Sequence, residues 1–231
     1  MLRKWEDLPK FMQKEEVRVY YDILKKKQIS LFLKRCFDIV MSVLLLIILA
    51  IPMVVIAIMI KIDSPGPIFY RQERATRYGK KFRIHKFRTM VNNADKLGTA
   101  VTVENDSRIT NIGDKLRGLR LDELPQLIDV LVGDMSFVGT RPEAVKYVKH
   151  YTNEMYATLL MPAGITSEAS IRYKDEAKLL DEAKDVDEVY IKDVLPEKMK
   201  YNLKSIRYFN LLREINTMIR TVFTVLGKEY M

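Results

Sequence analysis

Two neighbouring acids, Asp122 and Glu123, stand just before Pro125 in the segment Leu121 to Glu143, LDELPQLIDVLVGDMSFVGTRPE. Proline is favoured at the first position of a helix, so the spacing predicts a helix starting there. Its free N–H groups and positive dipole end would face the two carboxylates and any phosphate brought to them. A carboxylate so placed stays ionised at neutral pH and can act as a nucleophile or as a hard oxygen ligand for magnesium. Further along, Arg141-Pro142 presents a guanidinium fork on a stiff turn, a shape that suits phosphate oxygens. Each feature also has a plain structural reading. An Asp-Glu pair at a helix start is more often a cap than a catalyst, and a lone Arg-Pro is usually a surface turn.

What the chain lacks narrows the chemistry further. Its 231 residues hold one cysteine, Cys36, and two histidines, His85 and His150. An internal disulfide framework is excluded, a four-ligand zinc site of Cys/His type has too few donors, and a hydrolase triad would have to use one of those two histidines. With 39 basic against 30 acidic residues the formal charge is +9, which points to an anionic partner: nucleic acid, anionic lipid or a phosphorylated substrate. Apolar content of 48% supports a real core and excludes global disorder.

The elements that must carry these residues include one of membrane character. Ile39 to Ile60 is a run of 22 residues without a charge, long enough as a helix to cross a hydrocarbon core of roughly 30 Å. Its start after residue 38, with no small-residue cleavage site behind it, argues against a cleavable signal peptide. Both flanks are basic: Lys25, Lys26, Lys27, Lys34 and Arg35 precede the run, and residues 61–90 hold nine basic residues against Asp63 and Glu73. Cytoplasmic flanks carry the excess of Lys and Arg, so a single span would put one flank on the wrong side. A helix that enters one leaflet and returns, broken at Pro52, keeps both flanks in the cytoplasm. The expected fold class is therefore mostly α with small β content (α+β). It would comprise an N-terminal amphipathic tail over 1–33, a re-entrant membrane helix over 34–62 and a compact cytoplasmic catalytic domain with surface-lying helices over 63–231.

Within that frame the tail's helix, roughly Lys14 to Leu33, is expected to lie on headgroups. Ser64-Pro65-Gly66-Pro67 ends the membrane helix. Ile68 to Tyr70 and Lys81 to Ile84 read as short strands joined by a Tyr78-Gly79 turn. Arg108 to Val132 reads as helical with a break at Pro125, Pro162-Ala163-Gly164 as a loop, residues 175–188 as an acidic, solvated helical surface, and Tyr201 to Val225 as helical.

Taken in order, KRCFDIV (34–40), the hydrophobic helix, SPGPIFYRQER (64–74), FRIHKFRTM (82–90), DSRITNIGDKLRGLRLDELPQL (106–127), GDMSFVGTRPE (133–143) and GITSEASIRYKDEA (164–177) resemble the bacterial sugar transferases. These are the monotopic polyprenol-phosphate phosphoglycosyltransferases, and the resemblance covers about residues 34 to 225. It implies magnesium-dependent transfer of a sugar 1-phosphate from a UDP-sugar to undecaprenyl phosphate, releasing UMP, at the cytoplasmic face of the bacterial inner membrane, as the first step of a lipid-linked glycan. By the same resemblance Asp122 is the covalent nucleophile, Glu123 helps hold Mg2+ and Arg141 contacts phosphate. Lys86 and Arg88 are the next candidates for the diphosphate or lipid phosphate, with anionic headgroups as their alternative partner. Arg172 is a candidate substrate contact. Membrane phospholipids are expected partners, with a second copy or downstream glycosyltransferases left open, and no nucleic acid.

The chain departs from the family pattern in three places. Thr140 replaces the first proline of GPRP, Ile51 replaces a serine before the helix-breaking proline, and Ser167-Glu168 follow Gly164-Ile165-Thr166 where many members continue with glycine and tryptophan. The last change lies in a region associated with sugar recognition, so the donor sugar does not carry over. A non-catalytic membrane scaffold is the main competing reading, and the intact Asp122, Glu123 and Arg141 argue against it. A nucleic-acid-binding protein rests on charge alone and leaves the uncharged run without a use.

Overall fold

The computed structural model describes residues 2–94, 106–173 and 185–227. Helices predominate, and the strands form two two-stranded sheets. Helix α1 (Glu15–Lys25) buries Val17, Tyr20, Tyr21 and Leu24, the spacing of one helical face. That face does not await a membrane. It packs, with Leu8 and Met12, into the largest core cluster beside Tyr147, Leu160, Leu195 and Met199. The helix expected from Lys14 to Leu33 is accordingly divided at Lys26-Lys27, where α1 ends and α2 (Gln28–Asp63) begins.

Helix α2 has 36 residues and is helical through Pro52, about 54 Å at 1.5 Å per residue. The expected break at Pro52 is not an interruption: the proline lacks an N–H for the Ile48 carbonyl, and helical residues continue on both sides. One face lies on the body of the protein. Phe37, Met41, Leu45 and Leu49 pack on the core cluster of Phe82, Ile84, Leu127, Val130 and Phe137, and Met53, Ile56 and Ile60 pack near Phe87 and Leu116. The opposite face, with Ile47, Ile51, Val54 and Ile58, is exposed and apolar.

Polar clamps fix both ends of α2. Near its start, buried Lys34 donates to the Val138 carbonyl at 2.9 Å and to Glu214 at 2.6 Å. Arg35 donates to the Val130 and Leu131 carbonyls at 2.6 and 2.8 Å, and Asp38 accepts from the Phe137 N–H at 3.3 Å. Cationic Arg35 thus meets the negative end of α4 (Gln126–Val132). At the other end Asp63 accepts from the Ile112 N–H at 3.1 Å, in the first turn of α3 (Asn111–Gly118).

Strands β1 (Phe69–Ala75) and β2 (Lys81–Phe87) form an antiparallel hairpin, longer than the short pieces expected. Its turn uses positive φ at Tyr78 (59°) and Gly79 (73°). Strands β3 (Met135–Val138) and β4 (Ala163–Thr166) pair in parallel, where the sequence reading placed a loop at Pro162-Ala163-Gly164. A Cβ on Gly164 would sit 2.1 Å from the Gly139 nitrogen, so this pairing requires glycine. The helical stretch 108–132 does break at Pro125, and also earlier, at Leu119-Arg120. The stretch from Tyr201 is interrupted before Asn210, which caps the C-terminal helix Leu211–Val225 by accepting from the Leu212 N–H at 2.9 Å. Of the acidic stretch 175–188, residues 175–184 lie outside the described residues, and Asp185 caps a helical turn at Val186–Val189.

Removing one partner of the buried Lys34–Glu214 pair strands a charge, at a cost of about 3 kcal/mol. Lys34→Met should therefore lower the thermal midpoint in detergent, and the double substitution Lys34→Met/Glu214→Leu should recover most of the loss. A double variant no more stable than the single one contradicts the pairing.

Candidate active site

Three chain segments converge on one carboxylate. Arg120 takes left-handed geometry (φ 53°), rare for a residue with a side chain, and turns the chain from α3 into the 3-10 turn Leu121–Glu123. That turn sets Asp122 and Glu123 beside Lys86 of β2, near the end of the hairpin. The third segment, Gly139–Glu143, is pinned on two sides. Gly139 N–H donates to the Thr166 carbonyl and Gly164 N–H to the Thr140 carbonyl, while Ala75 N–H donates to the Glu143 carbonyl, at 2.9 to 3.0 Å. Buried Glu143 also accepts from the Tyr190 hydroxyl at 2.7 Å. Threonine in place of proline at 140 therefore leaves the segment anchored, and Arg141 projects from it onto Glu123.

Glu123 is 8% exposed. One of its oxygens, Oε1, accepts from Lys86 at 2.8 Å and from the Arg141 guanidinium, whose other nitrogen lies 3.3 Å from Oε2. Burial pushes the Glu123 carboxyl up, but the charges and hydrogen bonds of Arg141 and Lys86 win and hold it well below the usual range. Asp122 lies 4.0 Å from Lys86 through Oδ2. Its pKa is raised, chiefly by burial and further by Glu123, against the lowering effects of Lys86, Arg117 and Arg141. Burial in turn lowers the Lys86 ammonium, opposed by Glu123. A helix does start at Pro125, but the expectation that its free N–H groups face the two acids is corrected here. The Leu124, Leu127 and Ile128 N–H groups donate to the carbonyls of Leu121, Leu124 and Pro125, so side-chain cations, more than free helical N–H groups, set the field on the two acids.

Of the other residues expected in the site, Arg172 stands elsewhere and Arg88 only borders it. Arg88 lines the second of the two cavities that open at Asp122, but it is buried and donates to the Pro65 carbonyl at 2.8 Å and the Ser64 carbonyl at 2.6 Å, closing the end of α2. Arg172 lies over the Tyr201 ring, 4.9 Å from its centroid, beside a separate cavity of about 320 Å³. Arg117 is the residue the sequence reading missed. It borders Asp122's surroundings on two sides, and its position one turn before the acids in DKLRGLRLDE was the available signal.

Two cavities open at Asp122. One of about 730 Å³ runs between α2 and the C-terminal helix, past Leu45, Leu49, Phe137 and Val222. The other, of about 700 Å³, is walled by the hairpin and the segment after it, with Tyr70, Arg74, Asn92 and Arg108. Asp122, Lys86 and Arg117 line both.

Among the described residues no cluster of three His, Cys, Asp or Glu forms a protein cage for a metal. Magnesium does not need one, since it takes one or two carboxylates and completes its shell with water and substrate phosphates. The adjacent carboxylates of Asp122 and Glu123 fit that requirement. A cation at Glu123 would take over part of the charge now supplied by Lys86 and Arg141.

A buried, ion-paired carboxylate beside a more open one, with three cations around them and an apolar helix along one wall, is an arrangement suited to phosphoryl transfer at a lipid surface. The chain belongs to the bacterial sugar transferase family, whose description matches residues 29–228. It is 33% identical over 199 residues to the UDP-N-acetylgalactosamine-undecaprenyl-phosphate N-acetylgalactosaminephosphotransferase of Aeromonas hydrophila, covering 84% of this chain and 44% of that one. It is 35% identical over 200 residues to the UDP-glucose:undecaprenyl-phosphate glucose-1-phosphate transferase of Escherichia coli K12, covering 84% and 40%. Against the undecaprenyl-phosphate galactose phosphotransferase of Salmonella typhimurium it is 39% identical over 155 residues, 61% of this chain and 32% of that one. The chain thus spans less than half the length of these relatives.

Asp122→Asn and Glu123→Gln should differ in their effect on stability. The raised carboxyl of Asp122 is destabilising when ionised, so its amide should leave the thermal midpoint at neutral pH unchanged or higher. Glu123→Gln leaves Lys86 and Arg141 without their anion and should cost about 3 kcal/mol. Equal losses in thermal unfolding would contradict this division of roles.

Proposed function

We propose that this chain transfers a sugar 1-phosphate from a UDP-sugar to undecaprenyl phosphate through a covalent phosphosugar on Asp122, with UMP as the other product. The observation that carries the reading is the asymmetry of the acid pair. Glu123 is committed to Lys86 and Arg141, while Asp122 faces both cavities with Lys86 no nearer than 4.0 Å. An Asp122 oxygen attacks the sugar-bearing phosphorus, and the bond to UMP breaks with its electron pair leaving on UMP. A lipid phosphate oxygen then attacks the same phosphorus, the bond to Asp122 breaks and the carboxylate returns. Lys86, Arg117 and Arg141 offset charge on the phosphoryl oxygens as it shifts. Magnesium, held by Glu123 with help from Asp122's neighbourhood, would supply further charge neutralisation on the phosphates. The product would begin a lipid-linked glycan, and relatives named for different sugars leave the donor to be found by assay.

The membrane part of the proposal is that α2 enters one leaflet and does not cross. Both of its ends are clamped to the same body, through Lys34, Arg35 and Asp38 at one and Asp63 with Arg88 at the other. Its bare apolar face supports contact with lipid, and the basic flanks support the cytoplasmic face of the inner membrane.

In a panel of UDP-sugars with magnesium, one donor should give a UMP burst no larger than the enzyme without lipid and sustained turnover with undecaprenyl phosphate. Asp122→Asn should lose both. Because the ionised acid is the nucleophile and burial raises its pKa, the burst should fail on acidification at a pH above the ordinary aspartate value of about 3.9. A folded protein that releases no UMP from any donor overturns the reading. For topology, Lys26→Cys and Arg71→Cys in a Cys36→Ser background should both resist an impermeant thiol reagent in intact cells. Labelling of only one would make α2 a span.

A further inference from the structure

The two cavities that meet at Asp122 differ in kind. The walls of the larger one come from the apolar stretch of α2 (Leu45, Leu49) and from the C-terminal helix (Val222, Val225). Helix α2 also presents exposed apolar side chains outside it, Ile47 and Ile48 among them, and Val222 and Leu226 of its lining are themselves exposed. These apolar walls suit a long hydrocarbon chain. The smaller cavity has no α2 residue among its lining, and its walls carry Gln72, Arg74, Asn92, Asn93 and Arg108. At its edge stand the rings of Phe69 and Tyr70, each 38% exposed. Cations beside partly exposed aromatic rings suit a nucleotide, whose base can pack on a ring while its phosphates meet arginine.

Two displacements at one phosphorus are served by such a division. In-line transfer places the departing UMP opposite the Asp122 oxygen, and the incoming lipid phosphate must later approach from that same side. Their phosphates occupy one position in turn, and the two cavities that meet there offer the apolar chain and the nucleotide walls of different chemistry. Lys86 and Arg117, which line both cavities beside Asp122, are placed to hold that common phosphate.

We infer that the hairpin-side cavity receives the nucleotide of the donor, with its base against Tyr70, and that the cavity between α2 and the C-terminal helix receives the polyprenyl chain, the two sharing one phosphate position between Lys86 and Arg117. The inference rests on the transfer reading above and adds to it an address for each substrate. It makes the two substrates competitors for one phosphate position while their tails use different walls.

Ping-pong kinetics separate the two addresses, because kcat/KM for each substrate reports only its own half-reaction. Full-length Tyr70→Ala should lower kcat/KM for the UDP-sugar about tenfold, the worth of one base–aromatic stack. It should leave kcat/KM for undecaprenyl phosphate unchanged, and Tyr70→Phe should restore the loss. Val222→Trp, a substitution at an exposed position that narrows the other cavity, should lower only kcat/KM for undecaprenyl phosphate. Both constants falling together in either variant, or the reverse pattern, overturns the assignment. Calorimetry with UMP gives a readout that needs no turnover: binding should weaken in Tyr70→Ala and persist in Val222→Trp. Wild-type protein that binds UMP but shows no transfer would sink the transfer reading and spare the nucleotide address. Wild-type protein that does not bind UMP would overturn the address itself.

Discussion

Glu123 carries a negative charge in a place that is 8% exposed, and such a charge persists only where partners meet it. Lys86 from the hairpin and Arg141 from the Gly139–Glu143 segment supply them. One buried carboxylate therefore holds together the turn that carries Asp122, the strand that carries Lys86 and the segment that carries Arg141. The same arrangement leaves Asp122 short of partners. Burial raises its pKa while Lys86, Arg117 and Arg141 oppose the rise, so the acid is kept under electrostatic tension beside the position where phosphates would bind. An acid pair in which one member stabilises the site and the other is left reactive is how one local fold supplies both structure and chemistry.

The long apolar helix α2 is built into this arrangement. Arg35 meets the C-terminal carbonyls of α4, the helix that starts just beyond the acids, and Leu45 and Leu49 form a wall of the larger cavity. Asp63 and Arg88 fix the other end against α3 and the end of β2. Motion of α2 relative to the body would therefore disturb α4 and the acids together. That coupling gives KRCFDIV and the arginine of KFRTM a physical meaning: these charged residues lock an apolar helix onto the surface that carries the chemistry.

Much of this was legible in the sequence because it rests on local rules. The uncharged run, the Pro125 helix start, the Tyr78-Gly79 turn and the convergence of Asp122, Glu123, Lys86 and Arg141 each follow from short-range patterning or from motif order. What was not legible depends on distant contacts. Helix α1 has the amphipathic pattern of a surface helix, and only the packing of residues 144–209 against it decides that its face is covered by protein. The β3–β4 pair is four residues long on each side and joins segments 25 residues apart, too short for alternation to announce it. Arg88 has the charge of a phosphate ligand, and its commitment to the Ser64 and Pro65 carbonyls is set by where the membrane helix ends. Pro52 marks a lost hydrogen bond, and whether a helix stops there is decided by the contacts on either side.

The central claim is that Asp122 carries the phosphosugar between donor and lipid. Mass spectrometry of the acid-quenched protein after incubation with the accepted UDP-sugar, without lipid, tests it most directly. The account predicts one phosphosugar per chain on the peptide containing Asp122, discharged when undecaprenyl phosphate is added before the quench. UMP release that always requires lipid, or an adduct on a peptide without Asp122, would contradict it.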